Sequence, residues 1–282
     1  MIKTYYSLTK PGIIMGNIIT TVAGFAVASR GHIDSWLFLA TLVGLSCIIA
    51  SACVCNNYID RYSDAKMART KNRALVKGLV SGYNALFFAT ILGACGTFIL
   101  AFYTNLLTTG IALTGFFVYV ILYSGLKQRS MYATLIGSIA GAVPPVVGYC
   151  AVTGRLDIAA LLLFAIVALW QMPHFFAIAM YRLDDYVAAA IPVLPVVKGI
   201  HATKIQMLLY IIAFSIVTLM PTFFGYTGYI YLAIAALLGF SWLWLCLQGF
   251  VSRNNTLWAR KMFLFSLIVV MVLSITISVD VV

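Results

Sequence analysis

Asn56, Asp60 and Asp64 stand four residues apart. On an α-helix such residues lie one above the other on a single face. Two carboxylates and an amide in one stripe are ligands for a hard cation. Mg²⁺ takes one or two carboxylates and leaves positions for water and phosphate oxygens. Directly behind the stripe come Lys66, Arg69, Lys71, Arg73 and Lys77. Arginine grips phosphate bidentately and lysine acts as a point charge. The pattern points to a metal–diphosphate site, with Asn56, Asp60 and Asp64 on the metal and the basic residues on the phosphates. A solvated helix end at a membrane boundary would explain the cations, but not two carboxylates sharing a face.

A second group reads Trp170-Gln171-Met172-Pro173-His174-Phe175-Phe176, then Tyr181-Arg182-Leu183-Asp184-Asp185-Tyr186. Tyr181 and Asp185 are again four apart. Asp184 points about 100° away from Asp185 if the segment is helical. One of these acids is expected to face the first stripe across a cavity. The competing reading is a surface pair neutralised by Arg182, since exposed ion pairs are common and weak. Pro192 and Pro195 are expected to end the helix and force an extended return. His174 sits in an apolar helix, where an ionisable group either lines a substrate cavity or packs. Tyr123 and Lys127 close another apolar stretch, where Lys127 reaches a diphosphate or anchors the interface. Pro144-Pro145, between Gly141 and Gly148, predicts a kink whose freed carbonyls need neighbours or a cavity.

The elements that must hold these residues follow from composition. The chain has 282 residues, 63% hydrophobic and 9% charged, where a soluble domain is about 25% charged. This excludes a soluble enzyme, a nucleic-acid-binding domain and a disordered tail protein. All seven acidic residues are Asp. Nine apolar stretches reach membrane length, at roughly 12–29, 36–57, 83–103, 106–123, 131–152, 158–180, 204–223, 228–248 and 258–279. With a cytoplasmic N-terminus, sixteen of the eighteen Lys and Arg fall inside, leaving Arg30 and Arg155 outside. The net charge of +11 is therefore a topology signal rather than a nucleic-acid footprint. The six cysteines lie mostly in apolar runs and read as small hydrophobes. The first apolar stretch reads as a retained helix rather than a cleaved signal, because eight more follow it.

The expected architecture is all-α: one membrane domain over 1–282, about nine transmembrane helices around a central apolar cavity, with the C-terminus outside. Its two long loops, about 58–82 and 181–203, both face the cytoplasm and hold four of the seven acids. Asp34, Asp157 and Asp280 fall outside and read as loop or terminus residues.

These motifs resemble the UbiA superfamily of intramembrane prenyltransferases over nearly the whole chain. The resemblance is carried by Lys10-Pro11-Gly12, Asn56-x3-Asp60-x3-Asp64, Met67-x-Arg69-Thr70-x2-Arg73, Tyr123-Ser124-x2-Lys127 and Gly141-Ala142-x-Pro144-Pro145-x2-Gly148. Trp170-x2-Pro173-His174-Phe175, Asp185-Tyr186 and Ile191-Pro192-x-Leu194-Pro195 complete it. The Met-x-Arg-Thr and Pro-His-Phe elements point to the branch whose acceptor is haem. The resemblance implies farnesyl transfer from farnesyl diphosphate to a vinyl group of haem b, with water addition. It implies a bacterial inner membrane and a product passed to a haem-copper terminal oxidase. It implies Mg²⁺ on Asn56, Asp60, Asp64 and Asp185, with Arg69, Arg73 and Lys127 catalytic. Lys77, Tyr123, Tyr181 and Arg182 would contact substrate. Trp170 and His174 would take the haem side, with iron ligation by His174 as one case. Where the superfamily often has Asp-x3-Asp in its second motif, this chain has Tyr181 first, so the resemblance fixes neither the number of Mg²⁺ ions nor a role for Asp184. Two alternatives stand beside it. One is a family enzyme acting on an aromatic or quinone precursor. The other is a transporter or haem-binding membrane protein, against which no internal repeat appears.

Overall fold

The computed structural model describes residues 2–282. Among them are nine helices long and apolar enough to cross a membrane. We label them α1 (Pro11–Ser29), α2 (Ser35–Asp64), α3 (Gly82–Tyr103), α4 (Leu106–Leu126), α5 (Ala133–Thr153), α6 (Ile158–Tyr181), α7 (Gly199–Phe223), α8 (Tyr229–Val251) and α9 (Asn255–Val279). A short helix, Ile2–Leu8, precedes them.

Several of these helices start on a side-chain cap. Asp34 accepts hydrogen bonds from the amides of Trp36 and Leu37 at the start of α2. Asp157 does the same for Ala159 and Ala160 in α6. Asn105, between α3 and α4, caps α4 through Thr108 and donates to the carbonyl of Cys150 at 2.9 Å. Asp280 accepts from the amide of Tyr231 at the start of α8. The three acids expected on the far side therefore each satisfy helix amides.

Six helices, α1, α2, α4, α5, α6 and α9, surround a cavity of about 690 Å³. Among the described residues, α3, α7 and α8 contribute nothing to its lining. Instead α3 packs on α2, while α7 and α8 pack behind α6 and α9. There Phe214 and Trp242 meet edge to face at 5.3 Å. Large apolar side chains such as Phe98, Phe102, Leu237, Phe240 and Trp244 point outward. Without hydrophobic drive between helices in lipid, contact relies on close packing at small residues. A Cβ at Gly148 of α5 would lie 2.1 Å from the carbonyl oxygen of Thr21 in α1. One at Gly24 would lie 1.9 Å from that of Pro145. The two backbones touch, which fixes one wall of the cavity.

Three of the cavity-lining helices depart from regularity; α7, away from the cavity, also holds a proline, Pro221, within its helix. In α5 the helix breaks at Ala142, and Pro144 and Pro145 begin the second half, where a missing N–H costs nothing. In α4, Val118–Tyr123 is π-helical. In α6, Pro173 lies within a continuous helix.

Two boundaries differ from the sequence expectation by five residues or more. The second helix runs to Asp64 rather than residue 57. Its polar end finds partners inside the protein, so polarity does not stop it. The seventh begins at Gly199 rather than residue 204, so the long connections are 65–81 and 182–198. Pro195 opens a short helix, Leu194–Val197, rather than an extended return.

Replacing Gly148 with Val drives a side chain into backbone that cannot rotate away. It is expected to destabilise the fold by about 1–3 kcal/mol, read as a lower thermal-unfolding midpoint in detergent. An unchanged midpoint would mean that α1 and α5 do not approach this closely.

Candidate active site

The continuation of α2 places Asn56, Asp60 and Asp64 on one face at the mouth of the cavity. All three are buried, with Asp60 only 1% exposed. A carboxylate in such a place needs a counter-charge, and each polar group has a cation from a different segment. Lys127, just past α4, donates to Asp60 Oδ2 at 2.6 Å. Arg73, in the first long connection, pairs with Asp64 Oδ2. Lys10, ahead of α1, donates to Asn56 Oδ1 at 2.6 Å. The Asn56 amide in turn donates to Asp60 Oδ2 and to Ser124 Oγ, both at 3.1 Å.

Electrostatics differ between the two lysines. Burial pushes the Lys10 ammonium down to about 8, helped by the nearby charges of Arg73 and Lys127. Burial also works against Lys127, but Tyr123 and Asp60 outweigh it and hold that ammonium up at about 12. Lys10 also has φ 53°, a left-handed conformation rare for a side-chain-bearing residue. Pro11 follows it and bars the ordinary helical alternative. The conformation aims Lys10 into the mouth.

Within the Asn56–Asp60–Asp64 stripe, Asp60 Oδ1 is buried and unbonded. An unpaired buried carboxylate oxygen is costly. Asn56, Asp60 and Asp64 offer the oxygen donors that Mg²⁺ takes. Among the described residues, no three His, Cys or Asp side chains converge on one metal position.

The second connection is tied to the first. A helical break at Arg182 separates Tyr181 from Asp185, which lies in a short helix, Leu183–Ala188. Asp185 Oδ1 accepts from the amide of Ala68 at 2.9 Å. Next to it, Met67 packs with Ala189 and Ile191. Together these contacts dock one connection on the other and hold Arg69 and Arg73 at the cavity edge. Asp184 is exposed. Arg182 lies over the Tyr181 ring at 4.3 Å rather than pairing with either acid. Neither Tyr181, Arg182 nor the exposed Lys77 lines the cavity.

The cavity runs from this charged mouth to an aromatic wall. Tyr123 lines it, stacked on Tyr119 at 5.3 Å. Trp170, Gln171 and His174 line it from α6. His174 is both buried and cavity-lining, which combines the two readings of its sequence position. Sequence reasoning gave no role to Ser124, Tyr119 or Ser266. Their signal is the π-helical turn and a contact across two distant helices, neither visible in local spacing.

Removing one partner of a buried ion pair strands the other charge and costs about 3–5 kcal/mol. Lys127→Met is expected to lower the unfolding midpoint strongly. Adding Asp60→Asn to it should recover much of that loss. Additive effects of the two substitutions would show that the pair is not coupled.

The UbiA prenyltransferase family matches residues 17–268. A protoheme IX farnesyltransferase from Cronobacter sakazakii is 55% identical over 281 residues, covering 99% of this chain and 95% of that protein. One from Edwardsiella ictaluri is 54% identical over the same length, with the same coverage. Among solved structures, a digeranylgeranylglyceryl phosphate synthase superposes with TM-score 0.83 at 19% identity, covering 99% of this chain and 98% of that one. A UbiA homolog from Archaeoglobus fulgidus bound to GPP and Mg²⁺ superposes with TM-score 0.73 at 13% identity, covering 98% and 99%. With the family match spanning most of the chain, and relatives above half identity along its length, this protein belongs to the UbiA prenyltransferase family.

Proposed function

We propose that this chain transfers a farnesyl group from farnesyl diphosphate to a vinyl group of haem b, with addition of water, giving haem O and diphosphate. The observation that carries the reading is one continuous cavity. It joins a mouth of carboxylates and cations to an aromatic wall at Trp170 and His174. The full-length relatives named protoheme IX farnesyltransferase support this acceptor.

Asn56, Asp60 and Asp64 would hold Mg²⁺, with the unbonded Asp60 Oδ1 as the open ligand position. The metal would neutralise the diphosphate and stabilise it as a leaving group. The Mg²⁺ held by the Archaeoglobus homolog of the same fold is in keeping with this. The chain's own residues do the rest. Arg73 and Lys127 neutralise the carboxylates, Lys10 donates to the Asn56 amide oxygen, and all three turn to the phosphate oxygens when substrate arrives. Arg69 meets the diphosphate from the edge of the mouth. These charges stabilise the anion that grows as the allylic C–O bond breaks. Asp185 serves by fixing the connection that carries the two arginines. The farnesyl carbon then bonds to the terminal vinyl carbon of haem, and the cation left beside the porphyrin takes water, which loses a proton. Apolar walls from Ile49, Phe116 and Phe175 keep bulk water from the farnesyl cation first.

The farnesyl tail and the porphyrin face suit entry from the bilayer. The site faces the cytoplasm of a bacterial inner membrane, with the N-terminus on that side. Nearly all Lys and Arg lie at that end of the bundle. The product passes to a haem-copper terminal oxidase.

Asp60→Asn in purified protein with farnesyl diphosphate, haem b and Mg²⁺ is expected to cut haem O formation by about 100-fold or more. A chelator should abolish activity in the wild type and added Mg²⁺ restore it. Haem O formation by Asp60→Asn at the wild-type rate would overturn the assignment of the mouth.

A further inference from the structure

One hydroxyl proton determines which nitrogen of His174 is available. Ser266 Oγ on α9 lies 2.6 Å from the carbonyl oxygen of Phe263 one turn earlier. A carbonyl only accepts, so the single hydroxyl proton of Ser266 points there. The same Oγ lies 2.7 Å from His174 Nδ1. With its proton committed, it meets Nδ1 with a lone pair. Nδ1 therefore carries the imidazole proton, and the lone pair resides on Nε2. Nε2 has no hydrogen-bond partner among the described residues.

The ring around that atom is held on several sides. Trp170 stacks on it at 4.9 Å with 27° between planes. Phe263 lies 5.1 Å away. Trp170 Nε1 donates to the carbonyl of Ser266 at 2.7 Å, so one residue anchors both aromatic side chains. Ser266 itself is fully buried. A neutral imidazole with Nδ1–H engaged and Nε2 open is the arrangement by which proteins present histidine to a metal. No charged side chain bonds to His174, and the cavity it lines is largely apolar.

We propose that His174 Nε2 is an axial ligand to the iron of bound haem, and that Ser266 is the positioning residue that presents this tautomer. This rests on the haem reading above. The bond is dative, from the Nε2 lone pair to iron; Nδ1 keeps its proton and no electron is transferred.

The test uses full-length protein in detergent, titrated separately with haem b and with metal-free protoporphyrin IX. His174→Ala is expected to weaken haem binding about 10-fold or more and to remove the nitrogen-ligated absorbance spectrum. Imidazole in solution should restore that spectrum. Affinity for metal-free protoporphyrin should be unchanged. Ser266→Ala should weaken haem binding by about 10–100-fold, and Ser266→Thr, which keeps the hydroxyl, should not. Equal loss of both porphyrins in His174→Ala would return His174 to packing and overturn the proposal. So would a wild-type haem spectrum in that variant. If His174→Ala fails to fold, Ser266→Ala binding haem as tightly as Ser266→Thr overturns it. Wild-type protein that makes haem O while showing no such ligand overturns the ligand alone. Wild-type protein that neither binds haem nor converts it overturns the haem reading as well.

Discussion

A carboxylate at the mouth of an apolar bundle must be neutralised where it stands. Moving its charge out of water costs several kcal/mol even after relaxation. Asp60 and Asp64 meet that demand through Lys127 and Arg73, and Lys10 donates to Asn56 beside them. These partners come from three different parts of the chain. The requirement therefore sets the end of α2, the pose of the residue before α1, the register of α4 and the path of the first connection. Any fold of this sequence that left those acids unpaired in lipid would be lost to the one that pairs them.

Around this cluster the bundle is a division of labour between rows of helices. Inner helices carry polar or aromatic residues and accept irregular backbone. Outer helices face lipid, with Pro221 inside α7. Irregular backbone at membrane depth is tolerated where it is buried or lines a cavity. The break at Ala142, the π-helical turn of α4 and Pro173 in α6 all border the cavity.

Much of this was legible in the sequence. Nine spans follow from apolar length. The stripe Asn56–Asp60–Asp64 follows from helical period alone. Less legible were contacts between distant segments. The spacing of Tyr181 and Asp185 suggested one helical face, but the chain breaks between them and Asp185 binds the backbone of the first connection. Lys77 sits among basic residues yet points to solvent, since a loop's charge count does not say which side chains turn inward. Ser266 has no motif of its own, and its importance exists only where α9 crosses α6.

The π-helical turn in α4 has a consequence for how this protein can change over time. Such a turn is what one inserted residue leaves in an α-helix, because five-residue hydrogen-bond spacing absorbs the extra length. Each residue advances a helix by about 100°. Removing one residue from Val118–Tyr123 would rotate everything after it, swinging Ser124 and Lys127 away from Asn56 and Asp60. Drift in length, harmless in most surface loops, is thus closed to this stretch of membrane helix. Its length is under constraint even though none of its residues Val118–Tyr123 is buried and most are ordinary lipid-compatible types.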